Sequence, residues 1–144
     1  MIMNEYLFDD LAVGMTASFT RIITPEMEDL FREISGDQNP LHKDDAFATE
    51  VSGGKFNGHV SFGMLTASMY SAVAGMYLPG KYSLIHSFDE LSFKNPVYAG
   101  DELKADAVIT DKNDDLHFIR IKVTIRNQNG KTVSSAKMKV IVLK

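Results

Sequence analysis

The sequence predicts an α+β fold, an antiparallel sheet of about five strands with one central helix. Three observations carry this. Apolar residues recur at helical spacing in the first half, at every second position in the second half, and turn-forming residues separate the runs. With 144 residues, 44% of them hydrophobic, the chain can bury one proper core, so a single domain over residues 1–144 is expected.

The elements follow in order. A strand is expected from Ala17 to Ile23. Thr24 then offers a helix N-cap, with Pro25 at the first helical position, where its missing N–H costs nothing. Met27, Leu30, Phe31 and Ile34 stand at i, i+3, i+4 and i+7 and predict one apolar stripe, which Gly36 ends. A polar loop, Asp37 to His42, leads to a helical turn at Asp44 to Ala48 and a loop, Val51 to Val60, holding Gly53, Gly54 and Gly58. A second helix is predicted over Gly63 to Tyr77, closed by Leu78-Pro79-Gly80. Its small residues, Ala67, Ser68, Ser71, Ala72 and Gly75, would let a sheet approach its axis closely.

Thereafter the period is two. Leu84 to Lys94 is a strand with an imperfect pattern, as a bulge would give. Leu103, Ala105, Ala107 and Ile109 alternate with polar neighbours; so do Ile119, Ile121, Val123 and Ile125, and again Ala136, Met138, Val140 and Val142. Asn129-Gly130 predicts a two-residue hairpin turn with positive φ at both positions, and Asp111 to Asp115 a looser polar turn.

Composition narrows the function classes. The net charge of -4 is spread along the chain without a basic block, so no nucleic-acid partner is expected. With no cysteine there is no disulfide, thiolate metal site or cysteine nucleophile. Met1 to Asp10 lacks the apolar run of a secretory signal, and Phe62 to Leu78 is too short and too small in its side chains for a bilayer span. A cytoplasmic protein with no membrane partner is expected.

The stretch that carries chemistry is Ser35-Gly36-Asp37-Gln38-Asn39-Pro40-Leu41-His42. Asn39-Pro40 forms a turn, and the proline keeps Asn39 out of the helical region. Such a turn can fold the loop so that the Asp37 carboxylate and the His42 imidazole face one point. The two together can hold a water and move its protons, which is general acid–base chemistry. Asp and Asn beside a helix end also serve simply as turn caps through bonds to nearby backbone. Residue types and spacing leave both readings open.

Phe31 to Ala48, with this motif at its centre, resembles the signature of the MaoC-like (hydratase 2) family of (R)-specific enoyl-thioester hydratases. Phe62-Gly63-Met64-Leu65-Thr66-Ala67-Ser68, Leu78-Pro79-Gly80 and Ser92 to Glu102 resemble further family segments in the same order, so the likeness covers nearly the whole chain. The resemblance implies a single hot-dog domain, a curled antiparallel sheet wrapped around a long central helix. It implies homodimers with the acyl chain in a tunnel near the interface. Asp37 and His42 would activate the water that adds to C3 of a trans-2-enoyl thioester and protonate C2 from the same face, giving an (R)-3-hydroxyacyl product. Gly63 would give a backbone N–H to the thioester oxygen from a helix N-terminus, where such groups lack intrahelical partners. Asn39 would orient His42, and Ser35, Phe62 and Met64 complete the set around the substrate. The carrier would be coenzyme A or acyl carrier protein, with no other cofactor and no metal.

Departures from the family pattern fall in one place. Phe62 stands where histidine is common, and His59 and Ser61 replace the usual proline and alanine. His59 is read as a solvated loop residue outside the catalytic set, His86 and His117 as ordinary strand residues. Tyr70, Tyr77, Tyr82 and Met76 are read as core rather than tunnel lining. Two rival functions remain on the same fold, a non-catalytic acyl-thioester binding module and a thioesterase.

Overall fold

In the computed structural model, which describes residues 2–144, five strands join in one antiparallel sheet. They are β1 (Thr16–Ile22), β2 (Ser83–Phe93), β3 (Glu102–Asn113), β4 (Phe118–Arg126) and β5 (Thr132–Val142), in the spatial order β1-β3-β4-β5-β2. The sheet curls around α3 (Gly63–Ala72), which continues as a π-helical turn over Val73–Tyr77. Two shorter helices, α1 (Pro25–Ser35) and α2 (Asp45–Val51), lie between β1 and α3 in the chain.

Alternation builds the core. Leu103, Ala105, Ala107 and Ile109 of β3, Ile119, Ile121, Val123 and Ile125 of β4, and Ala136, Met138, Val140 and Val142 of β5 are all buried. β-branched side chains at these positions suit both the pleat and the packing. Thr66, Met69, Tyr70, Val73 and Ala74 of the central helix face them at helical spacing. The Tyr70 hydroxyl donates to Ser134 Oγ (2.7 Å), which donates to the Ser92 carbonyl (2.8 Å), so the one phenol at 0% exposure is satisfied. β2 carries the expected irregularity, with register shifts between Ile85 and Ser87 and between Asp89 and Ser92, and Glu90 at φ 55. Gly80 admits the N-terminal segment, because any side chain there would collide with the Asn4 carbonyl. Among the described residues no helix is long and apolar enough to cross a membrane.

Several expectations are corrected. Most small residues of the central helix do not face the sheet; Ser68, Ser71, Ala72 and Gly75 lie on the other side, where none is buried, and only Ala67 packs half-buried against the core. The stripe on α1 is only half right, since Leu30 (62%) and Ile34 (82%) are exposed while Glu28 is buried. α1 sends Met27 to the core, but the rest of its inward side meets polar and aromatic groups around the start of α3, and these select the face containing Glu28, Phe31 and Arg32. The Asn129-Gly130 turn is a three-residue loop. Gly130 N–H donates to the Asn127 carbonyl, only Gly130 has positive φ, and the Asn127 side chain accepts from Asn129 and Lys131, so side-chain bonds hold a longer turn. The β3–β4 turn lies beyond Asn113 rather than at Asp111–Asp115, and it places His117 (φ 51) in the turn and against Phe8 instead of on a strand.

Ile121 sits at 0% exposure in β4, the middle strand of the sheet. Replacing it with alanine is expected to cost about 2–5 kcal/mol in unfolding free energy, measured by urea denaturation. A loss under about 1 kcal/mol would mean that this layer can collapse around the cavity.

Candidate active site

α1 stops because Gly36 adopts the left-handed conformation (φ 74, ψ 5), its N–H closing on the Arg32 carbonyl. Side-chain bonds then wind the loop. Asp37 N–H donates to Ser35 Oγ (3.1 Å), Asn39 N–H to Asp37 Oδ1 (2.9 Å), and Leu41 N–H to Asn39 Oδ1 (2.9 Å). Pro40 opens a short 3-10 turn that ends on His42. The cap reading of these polar residues therefore holds for one oxygen of Asp37. The other, Oδ2, is left facing His42 Nε2 at 3.7 Å.

The imidazole is oriented from its far side. His42 Nδ1 lies 2.9 Å from the Val60 carbonyl. A carbonyl only accepts, so Nδ1 carries a proton and the neutral ring presents its lone pair at Nε2, towards Asp37. At 3.7 Å the Asp37 and His42 atoms are too far apart for a direct hydrogen bond, yet one water could touch both at about 2.8 Å. The His42 side chain is 16% exposed and that of Asp37 43%, so the pair lies at the wall of a cleft rather than in the core. The ring leans on buried Phe62 (centroids 4.2 Å apart), which in turn meets Phe31 at 5.0 Å. Arg32 ties α1 to the loop, donating from Nη2 to the His42 carbonyl at 3.1 Å.

Gly63 begins α3, and neither its N–H nor that of Met64 has an acceptor among the described residues. Free N–H groups at a helix N-terminus favour developing negative charge. A side chain at Gly63 would press on Phe93, with its Cβ 3.2 Å from the ring, so glycine keeps the approach open. Two recesses meet here. A cavity of about 420 Å³ is lined by His42, Val60, Gly63, Thr66, Phe93 and Val97, among others. A smaller one, about 240 Å³, touches Ser35, Asp37, His42, Phe62, Gly63 and Met64. Ser61 Oγ and Thr66 Oγ1, both on residues lining the larger cavity, are buried without a protein partner. That cavity is thus not wholly apolar.

The structure brings Asp37, His42 and Gly63 together, with Phe62 behind the imidazole and Met64 (58% exposed) at the rim. Asn39 does not touch the His42 ring. Its side chain accepts from Leu41 N–H and its carbonyl from His42 N–H (3.0 Å), so Asn39 fixes the loop that carries His42, while the Val60 carbonyl holds the ring. Ser35 likewise fixes Asp37 through its backbone. His59 is not solvated; it bridges Asp45 and Glu28 at 27% side-chain exposure. Sequence reasoning missed Val60, Arg32 and Phe93. Val60 acts through its backbone, for which residue type gives no signal, whereas a buried Glu28 could have been suspected from its place one turn before Arg32.

Comparison with known proteins agrees with this architecture. A family model described as a MaoC like domain matches residues 11–132. The (R)-specific enoyl-CoA hydratase of Aeromonas caviae is 37% identical over 120 residues, covering 83% of this chain and 87% of that protein. The protein of the same name from Rhodospirillum rubrum is 31% identical over 137 residues, covering 95% and 92%. The solved (R)-hydratase from A. caviae superposes with a TM-score of 0.84 at 33% identity, over 92% of this chain and 97% of that one. The unliganded R-hydratase from Pseudomonas aeruginosa gives 0.88 at 29% identity, over 99% and 88%. The hydratases so named are lyases, and the chain belongs to their family, the MaoC-like dehydratases of hot-dog fold.

Proposed function

We propose that the chain hydrates trans-2-enoyl thioesters to (R)-3-hydroxyacyl thioesters, and runs the reverse dehydration, with Asp37 and His42 as its acid–base pair. The observation that carries the reading is the open 3.7 Å gap between Asp37 Oδ2 and His42 Nε2, beside an unpartnered Gly63 N–H. A water in the gap loses a proton to the pair as its oxygen bonds to C3. Charge moves to the thioester oxygen, which Gly63 N–H receives, and the pair then returns a proton to C2 from the same side. Acid–base assistance of about 10²–10⁴-fold is worth roughly 3–5 kcal/mol, and one oxyanion donor about 3 kcal/mol. Placing the water and the enoyl group would have to supply the remainder.

The recesses on either side of His42 and Gly63 suit a thioester that threads between them, acyl group on one side and carrier on the other. The reaction needs no cofactor besides the carrier. Relatives named for enoyl-CoA make crotonyl-CoA the first substrate to try. Ultraviolet absorbance of the conjugated enoyl group should fall with wild type. It should fall at least about 10²-fold more slowly with Asp37→Asn or His42→Ala. Release of free thiol at a rate above hydration would instead identify a thioesterase. Tight binding without turnover, across chain lengths and on both carriers, would identify a binding module.

We also propose that two copies pair. β2 is an edge strand on which no residue is buried, and Leu84 (52%) and Phe88 (38%) lie exposed along it. The unburied small-residue face of the central helix and exposed Leu30, Ile34 and Met64 add apolar surface that one chain leaves in water. Sedimentation equilibrium at micromolar concentration should report twice the mass of one chain; the mass of a single chain would remove this part of the proposal.

A further inference from the structure

One residue before Val60, two carboxylates from two helices converge on one imidazole. His59 Nε2 lies 3.2 Å from Glu28 Oε1 on α1, and His59 Nδ1 lies 2.6 Å from Asp45 Oδ1 on α2. The same Asp45 oxygen accepts the His59 backbone N–H at 2.8 Å. Ionised carboxylates only accept, so with both ionised each ring nitrogen carries a proton and the ring is a cation. The Glu28 side chain is 4% exposed and its Oε2 has no protein partner among the described residues. A carboxylate that deep is costly unless a cation stands beside it, and His59 is the cation within reach. The Asp45 side chain, 73% exposed, is screened and contributes less by charge than by fixing the loop backbone. Gly58 makes room for this arrangement, since a Cβ there would stand 3.0 Å from Asp45 Oδ1.

The clamp sits next to the chemistry. One residue beyond His59, Val60 gives its carbonyl to His42 Nδ1 and its N–H to the Leu41 carbonyl (3.1 Å). Three residues beyond Val60 is Gly63. We propose that His59, held between Glu28 and Asp45, is a positioning residue: it fixes the segment whose Val60 carbonyl orients His42 and which leads into Gly63. The kinetic consequence rests on the hydratase reading; the effect on the His42 ring does not.

The charge on His59 makes the clamp sensitive to pH. Burial works against protonation, but hydrogen bonds to Asp45 and Glu28, and their charges, outweigh it and hold the imidazole above its ordinary value. Asp45 is drawn below its ordinary value by the backbone N–H and then the ring of His59. Arg32, the cation one turn along α1 from Glu28, is engaged instead with Asp29 and the His42 carbonyl. A folded-state value raised above the unfolded one means that the clamp acts in full below about pH 6.5 and is lost as pH rises through the folded value. Neutral His59 has one donor left for two carboxylates.

Nitrogen-15 NMR of the histidine rings, together with kcat and KM, tests the proposal on wild type, His59→Ala, His59→Gln and Glu28→Gln. In wild type, the neutral His42 ring should carry its proton on Nδ1 and leave Nε2 bare. In His59→Ala the His42 nitrogens should move towards an averaged tautomer. The kcat for enoyl-thioester hydration should fall about 10- to 100-fold, as a small misplacement of a catalytic group produces, with KM little changed. His59→Gln, which keeps an uncharged NH2 donor group that does not titrate, should recover part of the loss and abolish the response of the His42 shifts to the titration of residue 59. Folded His59→Ala with wild-type His42 shifts and wild-type kcat would overturn the proposal. If that variant fails to fold, Glu28→Gln decides it, because the substitution keeps the acceptor and removes the charge. His59 should then titrate at lower pH and the His42 change should follow it; His42 shifts indifferent to this would overturn the clamp. A wild type inert on every enoyl thioester would sink the hydratase reading, while the ring spectra would still decide the positioning role.

Discussion

The hydrogen bond from His42 Nδ1 to the Val60 carbonyl is the contact on which the site depends. Its net contribution to stability is on the order of 1 kcal/mol, so the fold would survive without it. What it decides is which nitrogen holds the proton and where the other one points. Nε2 faces Asp37 because Nδ1 is committed elsewhere. A backbone carbonyl cannot be removed by changing the side chain of its own residue, so the orientation of His42 depends on everything that places residues 58–61. Ser61 N–H on the Val97 carbonyl (2.7 Å), Val60 N–H on Leu41 and the His59 clamp do that placing.

The rest of the molecule serves as the frame for that short segment. Three central strands and the buried face of the central helix form the core, which holds the start of α3 still. Two loops meet at that start, one leaving α1 and one leaving α2. Loops on a rigid scaffold are where reactive groups can be both exposed and fixed. Apart from Met27, α1 contributes by polar and aromatic contacts with this junction rather than by joining the core, and Leu30 and Ile34 remain in water on a single chain.

Much of the fold was legible in the sequence because β3, β4 and β5 bury one face each, and a period of two then reports burial directly. The motif Asp37 to His42 was legible as chemistry only through its likeness to a family; by spacing, a turn cap and an acid–base pair look alike, and Asp37 acts geometrically as a cap with one oxygen. The failures share a cause. Periodicity counts apolar residues and is blind to polar burial, so it assigned Leu30 to the inside of α1 and overlooked Glu28. It read the small residues of the central helix as sheet contacts when all but Ala67 lie on the side away from the sheet. His59 looked solvated because its partners are 31 and 14 residues away in the chain.

The central claim is that one carboxylate–imidazole pair, on one side of the substrate, handles both the water and the proton. Hydration of an enoyl thioester in deuterium oxide tests it most directly, by the relative configuration of the deuterium at C2 and the hydroxyl at C3. The account predicts addition of both to the same face, with the hydroxyl in the (R) configuration. Addition to opposite faces, or a scrambled C2 centre, would place the proton donor elsewhere and contradict the role given to Asp37 and His42.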